Sequence, residues 1–238
     1  MRNTLAFALI LAGVHGAWAA QSADCPTAIS LAEGAPLGLA TIVGSEPRVL
    51  FIKGASEAKG CPAATGQCRW RSFVVPGDKV FTAQTFGEFV CASFISKKGL
   101  ETAGFLPAAS LNPLAPPKPA TGLEDWVGVW QGNVEQKITI RRNRKDLLSI
   151  AGEATFGATD PDRVARGAVN SGEIAADVAP ANGRLAFAMV GEATKPYDRG
   201  DEYDCKVKMR RFADYLLVED NRMCGGANVR FTGAYRRK

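Results

Sequence analysis

The stretch NPLAPPKPATGLEDWVGVWQGN, residues 112–133, divides the chain and opens its second half. Four prolines (Pro113, Pro116, Pro117, Pro119) and a closing Gly122 rule out a continuous helix or sheet and favour an extended, semi-rigid linker over residues 112–122. Directly after it comes the aromatic and β-branched run WVGVW, which reads as a strand. Outward from this point, both flanks are built of short alternating or β-branched runs bounded by Gly, Pro, Asn and Asp. Before the linker these are RVLFIKG, RSFVV, DKVFTAQ, GEFVCASFI and GFLP. After it come GVW, KITIRR, LLSIAGEATF, GAVNSGEIAADV, RLAFAMVGEA, YDCKVKMRRF, YLLVED and NVRFTGAYRR, about eight strands joined by short turns. Helical periodicity is almost absent, and only TAISLAEG (27–34) offers a weak helical reading. The chain is therefore expected to be all-β, with a small domain over 20–111 and a larger antiparallel up-and-down barrel over 123–238.

The first residues read as a leader: Arg2, an apolar run from Leu5 to Val14, then AWA ending at Ala19. The run is too short to span a bilayer. Cleavage after Ala19 would remove His15, the one histidine of the chain, and with it the commonest general base and zinc ligand. Triads that depend on histidine are then excluded, and the expected product is periplasmic or secreted, with no membrane insertion after cleavage. Six cysteines suit an oxidising compartment. In the second half Cys205 pairs with Cys224; in the first half three pairings exist, of which Cys61–Cys68 with Cys25–Cys91 is favoured.

The formal net charge is only +5, one less without Arg2. Few aromatics flank the basic clusters RRNRK (141–145) and RRK (236–238), which are read as a strand-end turn and a solvated tail, so nucleic acid is not an expected partner. Acidic clusters at 198–204 (Asp198, Asp201, Glu202, Asp204) and 160–162 (Asp160, Asp162) are set in polar loops, without the apolar setting that raises the pKa of a catalytic acid and without a calcium-loop spacing. No catalysis, metal or cofactor is expected.

Residues 48–111 resemble a bacterial SH3-like domain: Gly77, Asp78 and Val80 match a turn before a strand, Gly87, Phe89 and Val90 the next strand, and Gly104, Phe105, Leu106 and Leu111 the closing segment. Phenylalanine stands where that family usually has tryptophan, and the loop Cys61–Cys68 occupies the place of its ligand-proximal loop. By alternation, Phe73, Val75, Val80, Phe89, Phe94 and Phe105 form the small core, leaving Trp70, Phe81 and Phe86 as candidates for an exposed aromatic groove. The second half resembles the calycin pattern of lipocalins and avidins through Gly128–Trp130, a resemblance that implies Trp130 packed under Arg230 and Arg236 of the last strand.

The resulting expectation is a monomeric, non-enzymatic binding protein that contacts a cell-envelope component or another exported protein through Trp70, Phe81 and Phe86. One alternative is a small apolar ligand inside the second barrel, for which Ala151, Ala154, Ala186 and Ala188 would leave room if they faced inward. Another is inhibition of lysozyme, since Ser171 and Gly172 match two positions of an S-G-x-x-Y inhibitor loop although Ala175 replaces the tyrosine.

Overall fold

A computed structural model describes residues 22–143, 146–191 and 193–238. The expected leader, with His15, lies outside the described residues. The protein is all-β, with strands falling into two antiparallel sheets. The first holds β1 (Gly38–Ile42), β2 (Val49–Ile52), β3 (Arg69–Val74), β4 (Lys79–Phe86), β5 (Phe89–Ile95), β6 (Glu101–Pro107) and β7 (Leu111–Pro113), in the spatial order β3-β2-β6-β5-β4-β1-β7. The second holds β8 (Gly128–Gln131), β9 (Gln136–Arg142), β10 (Leu148–Phe156), β11 (Asn170–Val178), β12 (Arg184–Val190), β13 (Ala193–Pro196), β14 (Cys205–Phe212), β15 (Tyr215–Asp220) and β16 (Gly233–Arg237), ordered β11-β10-β9-β8-β16-β15-β14-β12-β13. This is a nearly closed nine-strand barrel rather than one of eight. The added strand is the short, exposed β13, whose sequence ATKP carries no alternation to betray it.

β7 carries the first sheet through Pro113, into the segment expected to be linker. It pairs with β1 (Ile42 opposite Leu111, Ala40 opposite Pro113), and proline is tolerated there because β7 is an edge strand with no outer partner for the missing N–H. The segment 27–34 is not helical. Two of its backbone donors go instead to distant side chains: the Ala28 N–H to Ser93 Oγ at 2.7 Å and the Leu31 N–H to Glu219 Oε2 at 3.1 Å. A five-residue helix α1 (Pro161–Ala165) is capped by Asp160, whose carboxylate accepts from the Asp162 and Arg163 N–H groups.

Alternation sorts the second sheet cleanly. Trp130, Ile138, Ile140, Ile150, Ile174, Leu185, Phe187, Val207, Met209, Leu216, Val218 and Tyr235 point into the barrel and are buried. Of the four alanines expected to leave room, Ala151 and Ala186 are exposed on the outer face. Ala188 is buried there beneath the turn at Gly200, and only Ala154 lies within the barrel core. The interior is filled by side chains, Trp126 and Phe231 among them.

The outer face of β14, β15 and β16 is apolar as well: Phe212, Leu217 and Ala234 are buried in one cluster with Leu39, Phe81 and Ile95 of the first sheet. The Phe81 ring lies 4.9 Å from Tyr215, edge-on, and 6.1 Å from Phe212. Arg236 donates to the carbonyls of Ser96 (2.7 Å) and Ile95 (2.8 Å), and Arg184 to that of Leu31 (3.2 Å). The two sheets are thus packed on each other. A second cluster of the first sheet (Ala40, Ile42, Phe51, Val74, Val80, Ala92, Leu106) gathers residues from β1 to β6.

All three favoured disulfides are present: Cys25–Cys91, Cys61–Cys68 and Cys205–Cys224. Cys25–Cys91 ties the N-terminal segment to β5, and Cys61–Cys68 closes the loop that leads into β3.

Candidate functional site

The three aromatics expected to share a groove are dispersed. Phe81 is 1% exposed and belongs to the contact between the sheets, where it and its register partner Leu39 are buried in one cluster with Phe212, Leu217 and Ala234 of the barrel. Phe86 is half-buried with its ring 6.4 Å from that of Phe105. Trp70 alone is accessible, at 40%.

Trp70 has a different companion. Phe73, assigned by alternation to the core, is 41% exposed, and Val75 is exposed too. The cause lies in β3, an edge strand whose pairing with β2 slips between Leu50 and Ile52, so that the period of two no longer predicts which residues are covered. Five successive residues, Arg69 to Phe73, are exposed, and burial resumes only at Val74. Each ring is faced by a cation flanking the adjacent β2: the Arg48 guanidinium carbon lies 4.4 Å from the Phe73 centroid, and Lys53 Nζ lies 5.5 Å from that of Trp70. Lys53 is held by a 3.0 Å bond to the Gln67 carbonyl, within the loop that Cys61–Cys68 closes. A cleft of about 350 Å³ adjoins the strand, lined by Arg48, Leu50, Arg69 and Phe89 among others. Among the described residues, none of Arg48, Lys53, Arg69 and Arg71 forms an ion pair. The arrangement offers cations and aromatic faces together, on a strand with one side of its backbone unpaired.

The remaining expected residues have structural roles. Ser171 and Gly172 lie on β11, paired along its length with β10, and are not on a protruding loop. The Ser171 carbonyl accepts from the Gly226 N–H at 3.0 Å, and a Cβ on Gly172 would lie 2.2 Å from the Cys224 carbonyl oxygen. The CGG segment is therefore packed onto β11 through its glycines.

Trp130 is buried beneath arginines, but different ones from those expected. Arg211 lies 4.3 Å and Arg237 4.7 Å from its ring, and both donate to the Asp125 carbonyl. Trp130 is paired in register with Arg237, so Arg237 shares its face while Arg236 projects to the other and reaches the first sheet. Arg230 precedes β16 and is exposed. Burial first, then the nearby Arg237, lowers the Arg211 guanidinium below its ordinary pKa. The Asp125 carboxylate is held below its ordinary range by the N–H groups of Gly122 and Thr121, helped by Arg211 and Arg237. The Tyr235 phenol donates to the Phe231 carbonyl at 2.7 Å, and full burial pushes its pKa well up.

The acidic clusters turn onto their own backbone: Asp201 Oδ1 accepts from Tyr203 and Asp204, and Asp204 Oδ2 from Asp201. Arg142, at the basic cluster, pairs with Asp146 and Glu124. Among the described residues no three His, Cys, Asp or Glu side chains gather in a metal-holding group, and no helix is long and apolar enough to cross a membrane.

Compared with protein-family models, curated proteins and solved structures, the chain matches none. The β3 surface is therefore judged on its own chemistry. Sequence reasoning found Trp70 but missed Phe73, Arg48, Arg69 and Arg71. The available signal was RWRSF itself, where cations alternate with bulky or polar residues.

Proposed function

We propose that the chain is an exported, non-catalytic binding protein. It contacts a cell-envelope component or another exported protein through its first, SH3-like half, with Trp70 and Phe73 at the centre of the contact. The observation that carries this reading is the pair of exposed rings, each faced by a cation, on an uncovered strand. Tryptophan and arginine are among the residue types enriched at binding hot spots. The three disulfides suit the oxidising compartment that such a partner would share. The filled interior of the second barrel favours this reading over a carrier of small apolar ligands.

Photo-crosslinking tests it. A benzoylphenylalanine at Ser72, on β3, is expected to form adducts in an envelope fraction, whereas the same residue at Ala186, on the outer face of the barrel, is not. Adducts of equal yield from both positions, or none from Ser72, would overturn the assignment.

A further inference from the structure

Four strands end the two sheets, and they differ in what protects them. β7 is three residues long and runs into a proline-rich segment; β13 is four residues long and ends in Pro196. β11 is long but lies against β12 across the barrel seam, where the Ala175 N–H approaches Met189 Sδ at 3.3 Å. β3 has six residues, contains no proline, and has no neighbour on its outer side. Natural sheets usually blunt such an edge with proline, brevity or a cover. Here only charge is used, and all of it is positive.

We propose that β3 receives an extended acidic segment of a partner protein as an additional strand. The inference rests on the binding role proposed for this surface and specifies its geometry. Phe73 lies opposite Leu50 and Arg69 opposite Ile52, two residues of one face of β2, so across the register shift Arg69 and Phe73 share one side of β3; Arg71, midway along the same strand, falls with them, and Trp70 and Ser72 fall on the other side. An incoming strand therefore places carboxylates at alternate positions beside Arg69 and Arg71, and apolar side chains between them beside Trp70. Main-chain hydrogen bonds to the free edge supply affinity for any extended chain, and the alternating pockets supply selection. Charge decides against a second copy of this chain as the occupant. Two β3 strands side by side would set Arg69 and Arg71 against their own counterparts, and like charges directly opposite each other are destabilising.

The probe is a blocked hexapeptide of alternating glutamate and valine, titrated into the full chain at low salt. Binding is read from the difference in tryptophan fluorescence between the chain and its Trp70→Phe variant, and from hydrogen exchange at the β3 amides. The expected result is saturable binding with slowed exchange along Arg69–Val74, weakened about tenfold by R69E/R71E and abolished when alternate peptide amides are N-methylated to remove the donors facing β3. Undiminished binding of the N-methylated peptide would overturn strand addition, since charge alone would then suffice. Binding of a lysine–valine hexapeptide with equal affinity would overturn the acidic preference. Absence of any peptide binding while Ser72 still crosslinks selectively would overturn this inference and leave the broader binding role standing, whereas loss of both would remove the two together.

Discussion

Truncating Phe81 to alanine tests whether the two sheets are one thermodynamic unit. The side chain is 1% exposed, and its burial comes in large part from Tyr215 and Phe212 of the barrel. Deleting a fully buried phenylalanine costs about 3–5 kcal/mol, from lost transfer energy plus the cavity left behind. Were the first sheet an independent body, the same ring would face solvent and its removal would cost within about 0.5 kcal/mol. The edge-on contact with Tyr215 should appear as a coupling of about 0.5–1.5 kcal/mol in a double-mutant cycle of Phe81→Ala with Tyr215→Ala. The assay is guanidinium unfolding of a chain starting at Ala20 in a Trp70→Phe background, where fluorescence comes from Trp126 and Trp130, both fully buried in the barrel. The reporter then sits in one sheet and the first perturbation in the other. A barrel transition that does not move on Phe81→Ala, together with a coupling near zero, would refute the shared core.

Three further outcomes are expected. Removing Cys25–Cys91, which spans 66 residues, should destabilise by about 4 kcal/mol, and removing Cys205–Cys224, which spans 19, by about 3 kcal/mol, so equilibrium unfolding of the two serine-pair variants should rank them in that order. Gly99→Ala should cost about 3 kcal/mol, because its φ is +75° and a Cβ there would lie 2.0 Å from the Gly132 carbonyl oxygen, whereas Gly34→Ala, at φ +73° with nothing within 4 Å, should cost only the conformational term of about 1 kcal/mol; equal losses would mean that the contact between the sheets is loose. The Asp125 carboxylate is lowered in the fold, so its ionised form adds stability above the unfolded value of about 4 and loses it as pH falls through the lower folded value. Thermal melts of Asp125→Asn should accordingly show a lower Tm than the unsubstituted chain at neutral pH and a gap that closes in acid.

The fold class was readable because its signals are local. LLSIAGEATF carries its inward Leu148, Ile150, Gly152 and Ala154 at a spacing of two, and the structure covers that face. The cysteine pairings were readable because few partners existed within each half. The site was less legible. Trp70 could be named from its type, yet Phe73 could not, since alternation tells which residues share a face and not whether anything covers it. The same limit misplaced Phe81. A trace of the contact between sheets was present in YLLVED, where Leu216 and Leu217 are adjacent and both buried, the mark of a strand covered on two sides.

By itself, then, the sequence determined the strand content, the turns between most strands and the preferred disulfides. Only the tertiary structure decided which arginines cover Trp130, which aromatics meet between the sheets, and which edge is left open. Strand formation depends on neighbours two residues apart. Burial, register and edge exposure depend on chain segments about a hundred residues away, and a single-residue offset in register exchanges Arg236 for Arg237 over the Trp130 ring.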